Sequence, residues 1–172
     1  MSNYRNTILL LKKDFSLIAI LFAGILFIPA AAYKINYLAF TSFLIGFTAF
    51  DLLGFKHTLD FRDGVPRIAY RIVQTSFQII FTALIYVLFG WQTAAACLIA
   101  WWFTACDVLY YLLGKYPFPP KDYPITWLNW SVLGVIRLIV PSAFGRFKIN
   151  TLSFIIAAVI GTLTGIVIIL YL

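Results

Sequence analysis

The chain has 172 residues, is 63% hydrophobic and only 11% charged, and carries a formal net charge of +7. A soluble domain has about 25% charged residues and shows its apolar residues as stripes, so this composition excludes an ordinary water-soluble fold. The basic residues flank long apolar runs instead of forming one compact surface, which excludes nucleic acid as a partner and marks them as topogenic charge.

A membrane-crossing helix needs roughly 20 apolar residues. Six runs approach that length, at about 15–33, 37–55, 68–89, 92–114, 126–143 and 151–172. The expected fold is an all-α polytopic integral membrane bundle of about six transmembrane helices, forming one domain over 1–172. Before the first run stand Lys12 and Lys13, and near its end Ala30, Ala31 and Ala32 imitate a cleavable leader; the run is read as the first span. Short links at 33–36 and 90–91 make the flanking helices antiparallel neighbours.

The second run places Thr41, Thr48 and Asp51 on one face. The third carries Arg71, Gln74, Thr75, Gln78 and Thr82 within about 100° of arc at 3.6 residues per turn. In the fourth, Thr104, Asp107 and Tyr111 share a face, with Trp101, Trp102 and Tyr110 close by. Cys97 and Cys106 point to opposite faces of that helix, about 13 Å apart along its axis, and cannot pair. The fifth run is short, carries Arg137 and is followed by Pro141. The alternative there is five crossings plus a re-entrant or interfacial segment, with Arg146 and Lys148 inside. In the sixth, Ala157, Gly161 and Gly165 form a ladder of small residues that packs inside the bundle or against a second copy as a homo-oligomer face.

With the N-terminus inside, Arg5, Lys12, Lys13, Lys56, Arg62, Arg67, Arg71, Lys115 and Lys121 are cytoplasmic, against Lys34, Arg146 and Lys148 outside. Nine against three orients the six-span chain with both termini cytoplasmic. The expected location is a bacterial inner membrane, and membrane lipids are the expected surroundings.

The chain has no glutamate. Its acids are Asp14, Asp51, Asp60, Asp63, Asp107 and Asp122, and its one histidine is His57. On this topology all lie in the cytoplasmic half. Asp14, Asp60 and Asp122 read as partners of loop cations. Asp107 cannot snorkel, because aspartate is short, and an ionisable side chain at that depth is a functional candidate by default. The expected site is a cytoplasm-facing polar cavity with Asp107 and Asp51 as acid or base. Arg71, Gln74, Gln78, Thr104, Tyr111, Arg137 and Trp101 would bind substrate there. No metal or other cofactor is expected, since His57 and Asp60 alone make no metal site.

The string Asp60-Phe-Arg-Asp63-Gly64-Val-Pro-Arg67 resembles the opening of the CDP-alcohol phosphotransferase motif, D-x-x-D-G-x-x-A-R. That family places a second carboxylate pair about a dozen residues on. The corresponding stretch here, Arg71 to Phe81, has no acid, so the match covers eight residues and assigns no family. Three functions remain: a membrane-embedded enzyme on a lipid or isoprenoid-like substrate, a small-solute transporter or its binding subunit, and an accessory subunit of a membrane complex.

Overall fold

The computed structural model describes residues 15–53, 67–114, 131–139 and 151–172. Every element among them is a helix: α1 (Phe15–Tyr33), α2 (Asn36–Leu53), α3 (Arg67–Phe89), α4 (Trp91–Trp102), α5 (Ala105–Gly114), α6 (Val132–Ile139) and α7 (Thr151–Tyr171).

Small and aromatic residues occupy the interior. Ala30, Ala39, Ala49, Ala96 and Ala100 are fully buried beside Phe43, Phe47 and Phe154, whereas Leu21, Ile25, Ile28, Ile79, Ile80, Val87 and Leu163 face outward. Water would drive the large aliphatic side chains inward. In lipid that driving force is absent, and helices associate by close backbone approach over small residues. The distribution is compatible with a protein whose solvent is hydrocarbon.

Two helices, Ile72–Phe89 and Thr151–Tyr171, are long and apolar enough to cross a membrane, and the α4–α5 pair makes a third if it is one broken span. These features are compatible with a membrane protein, with fewer qualifying spans among the described residues than the six expected. Within the expected 126–143 span the described helix α6 has 8 residues, about 12 Å, and 126–130 and 140–143 lie outside the described residues.

Two tight turns define one end of the bundle, called here the outer end. At the first, Lys34 adopts a left-handed conformation (φ 55°) after α1, and Ile35 N donates to Ala30 O at 3.0 Å. At the second, Gly90 starts α4 with φ 90°, a region open to glycine. Lys34 Nζ bridges the turns, donating to Leu88 O at 2.8 Å and lying 5.9 Å from the Phe89 ring centroid. A cation at the exposed carbonyls ending α3 complements that helix dipole. Gln92 Nε2 donates to Leu172 O at 3.2 Å, bringing the end of α7 to this same outer end.

Helix α7 therefore runs antiparallel to α4. A Cβ on Gly165 would sit 3.1 Å from Ala96 O, one on Gly161 would sit 3.3 Å from Ile99 O, and further inward Thr104 Oγ1 donates to Phe154 O at 3.3 Å. Residues 15 and 172 lie at opposite ends of the bundle, whereas six crossings would bring the free ends of the first and last helices to the same end. Of the small-residue ladder, Gly161 and Gly165 face α4 of the same chain and Ala157 packs with Tyr111 and Leu133, so the ladder packs inside the bundle.

Candidate polar site

The site forms where α4 stops. Phe103 N still donates to Ile99 O at 2.9 Å, but Thr104 N turns back to Trp101 O at 3.0 Å, a tighter closure that ends the helix. Thr104 then takes φ 68°, and the axis bends by 64° before α5 begins with Val108 N donating to Thr104 O. The sequence expectation of one continuous helix over 92–114 is corrected here. A β-branched residue at positive φ is a strained outlier, costing of order 1–3 kcal/mol, and persists only when its surroundings over-determine it.

The surroundings do so from two sides. On α7, Phe154 O takes the Thr104 hydroxyl, and Gly161 leaves room for the Phe103 side chain, whose Cγ lies 2.9 Å from where a Cβ would stand. On α2, Thr48 Oγ1 lies 2.6 Å from its own Leu44 O and 3.2 Å from Cys106 O, so one proton is shared between its helix and the broken one. Breaking a helix frees backbone carbonyls that hydrocarbon cannot satisfy, and neighbouring hydroxyls restore the bonds.

Inward of the break the polar side chains converge. Asp51 on α2 is buried, and Gln74 Nε2 on α3 lies 2.9 Å and 3.0 Å from its two carboxylate oxygens. Asp51 and Asp107 both lie within electrostatic reach of the Cys106 sulfur. Asp107 sits in the first turn of α5, half-buried, at the positive end of that helix dipole. Gln78 is buried one turn outward of Gln74. Tyr111 is buried against Phe154 and Leu133, its ring 5.9 Å from that of Phe154. Trp101 closes the outward side against Phe47 at 6.2 Å.

Of the expected site residues, Asp51, Gln74, Thr104 and Asp107 thus lie on the inner half of α2, α3 and the α4–α5 break, with Gln78 at the middle of α3. Direct contacts here include Asp51 with Gln74, Thr48 with the broken helix and Thr104 with Phe154 O. Arg71 and Arg137 lie on α3 and α6, but their side chains are outside the described residues. His57 and the 60–66 part of the acidic string are outside them as well, as is the Lys115–Pro124 loop. Thr41 and Thr75 leave the expected stripes: Thr41 is exposed and donates to its own Tyr37 O at 2.8 Å, and Thr75 faces outward. Among the described residues no three His, Cys, Asp or Glu side chains stand together as metal ligands. Cys97 and Cys106 are free, buried thiols on separate segments of the broken pair.

The sequence reading missed two features of the site. One is the break, whose only trace in the sequence is a threonine between apolar residues with a glycine ladder elsewhere. The other is Ser42, which donates to Ala23 O at 2.8 Å and clamps α2 to α1. No protein-family model, curated protein or solved structure matches this chain.

Proposed function

We propose that the chain is an integral membrane protein of a bacterial inner membrane with its polar site opening toward the cytoplasm. We read it as a small membrane-embedded enzyme acting on a lipid or isoprenoid-like amphiphile by aspartate acid–base chemistry. The observation that carries this reading is the one-sidedness of the described carboxylates: Asp51, bonded by the Gln74 amide, and Asp107 stand on the inner half, whereas the buried polar groups of the outward half are hydroxyls, Ser42, Thr82 and Thr93. Asp51, Gln74, Thr104 and Asp107 occupy the inner half and Gln78 the middle of α3, while Phe40, Phe43 and Ile85 pack the outward half. A site open to one leaflet suits a substrate that enters laterally with its head at the interface and its tail in lipid. A carrier needs access from both sides.

Asp51, accepting from the Gln74 amide, stands as a positioned acceptor, the role of a general base. Asp107, on the first turn of a half-helix, supplies the second carboxyl group and exchanges protons with the substrate head. Arg71 and Arg137 are proposed to hold an anionic head, and Tyr111 and Trp101 to wall the tail.

Purification in native lipid nanodiscs, followed by mass spectrometry of co-purified lipid, tests the reading. Wild-type protein is expected to retain a defined amphiphile and to convert it in a total lipid extract. Asp107→Asn and Asp51→Asn are expected to retain it without conversion. Failure of the folded wild type to retain or convert any lipid species overturns the enzyme reading. A transporter is the second reading, favoured by the broken helix, which carriers place at their binding sites. Site-dependent uptake of a water-soluble solute into proteoliposomes would establish it instead.

A further inference from the structure

We infer that the chain between Gly114 and Thr151 leaves and re-enters the bundle at the same inner end. The protein then crosses the membrane five times, and Leu172 lies on the side opposite residue 15. This rests on the membrane setting proposed above and not on the enzymatic reading.

The inference follows from helix directions. Helix α3 rises from the Asp51–Gln74 level to Leu88 at the outer turn, and α4 descends from Gln92 to Thr104. Helix α5 turns away by 64° yet keeps Tyr111 against Phe154 in the first turn of α7, so the chain leaves α5 on the inner half. Helix α7 starts at Thr151, passes Thr104 at Phe154, Ile99 at Gly161 and Ala96 at Gly165, and finishes beside Gln92. Thr151 is therefore also at the inner end, and the 115–150 segment crosses an even number of times.

Two crossings are excluded by length. They need roughly 40 residues between them, and the middle of this segment is committed elsewhere. Leu133 and Val132 of α6 pack on Tyr111, Tyr110, Val108, Phe154 and Ala157, all on the inner half. Helix α6 buries Leu133 and leaves Ile136 and Ile139 exposed. It is a short element docked on the inner half beside the polar site, the re-entrant or interfacial alternative to a fifth crossing.

The charges agree. With six crossings Arg146 and Lys148 are cations on the outer side. With five, every Lys and Arg in the sequence other than Lys34 falls on a segment attached to the inner end. Lys34 is held at the outer end by Leu88 O. A cation bias this steep orients the inner end to the cytoplasm.

Single-cysteine labelling of the full chain in intact cells decides the matter, with Tyr33→Cys at the outer turn and Asn150→Cys just before α7. A membrane-impermeant maleimide is expected to label Tyr33→Cys from outside and to label Asn150→Cys only after lysis. Alkaline phosphatase fused after Leu172 is expected to be active, and a fluorescent protein fused there to be dark. Labelling of both cysteines from the same side, or a bright fluorescent fusion with an inactive phosphatase, would overturn the five-crossing topology. External labelling of Asn150→Cys with Tyr33→Cys protected would overturn the orientation. Recovery of the chain in the soluble fraction would instead overturn the membrane setting, so the two failures are distinguishable.

Discussion

Thr104 concentrates the strain of the molecule in one residue. Its left-handed backbone costs about 1–2 kcal/mol for a side chain with a Cβ, while its hydroxyl bond to Phe154 O returns about 0.5–1.5 kcal/mol. Thr104→Ala loses the bond and keeps the strain, whereas Thr104→Gly loses both. Thermal unfolding in detergent is therefore expected to rank Thr104→Gly above Thr104→Ala by about 1 kcal/mol. The reverse order would show that the bend is not maintained at this residue. Gly161 gives a second residue-scale test. A methyl there meets the Phe103 side chain, so Gly161→Ala is expected to cost about 1–3 kcal/mol by overpacking. Gly24, with nothing within 4 Å of its absent Cβ, is the control. Gly24→Ala is expected to be neutral or to gain about 0.5–1 kcal/mol from helix propensity. Sequence reading located Gly161 as a close-approach residue from its four-residue spacing with Ala157 and Gly165. It could not locate the strain at Thr104, because φ is imposed by neighbours far along the chain.

At the scale of elements, α2 and α3 are joined at the site by Asp51 and Gln74. Both residues were legible as members of polar stripes, but their pairing was not, and the stripes also included Thr41 and Thr75, which face outward. Periodicity defines an angle around one helix and leaves the direction of the partner open. A double-mutant cycle on Asp51→Asn and Gln74→Leu is expected to show a coupling of about 0.5–3 kcal/mol, as for residues in direct hydrogen bonding. Strict additivity would mean that the two helices do not meet there. Elsewhere α4 and α5 divide between them what reads as one apolar run, because the bonds that compete with helix continuation come from α2 and α7.

At the scale of the whole molecule, the surface is the most direct test of the solvent. Ile80 is 67% exposed on α3 among aliphatic neighbours. In water, Ile80→Lys at such a site would be neutral or would improve solubility. In a bilayer a lysine near the middle of a span costs about 2.5–3.5 kcal/mol of insertion free energy. A sharp loss of membrane-integrated protein is expected, measured as alkali-resistant membrane yield. Unchanged yield would place α3 against protein or water. The same solvent explains the core: alanines and glycines let helices approach where no hydrophobic driving force exists between them.

The sequence by itself determined the helical class and a composition compatible with a hydrocarbon solvent, which admits apolar side chains outside and a satisfied backbone inside. It also held both readings of the weak 126–143 run, six crossings or five with a re-entrant or interfacial segment, and had no means to choose between them, since it offered α6 no visible partner. Only the tertiary structure decided that Leu172 returns to Gln92, that the glycine ladder serves α4, and that the fourth run breaks at Phe103 and Thr104. Each of these depends on contacts between residues dozens of positions apart. Periodicity and composition are sums over neighbours in the chain and carry no record of which helix will supply a carbonyl, a hydroxyl or a gap.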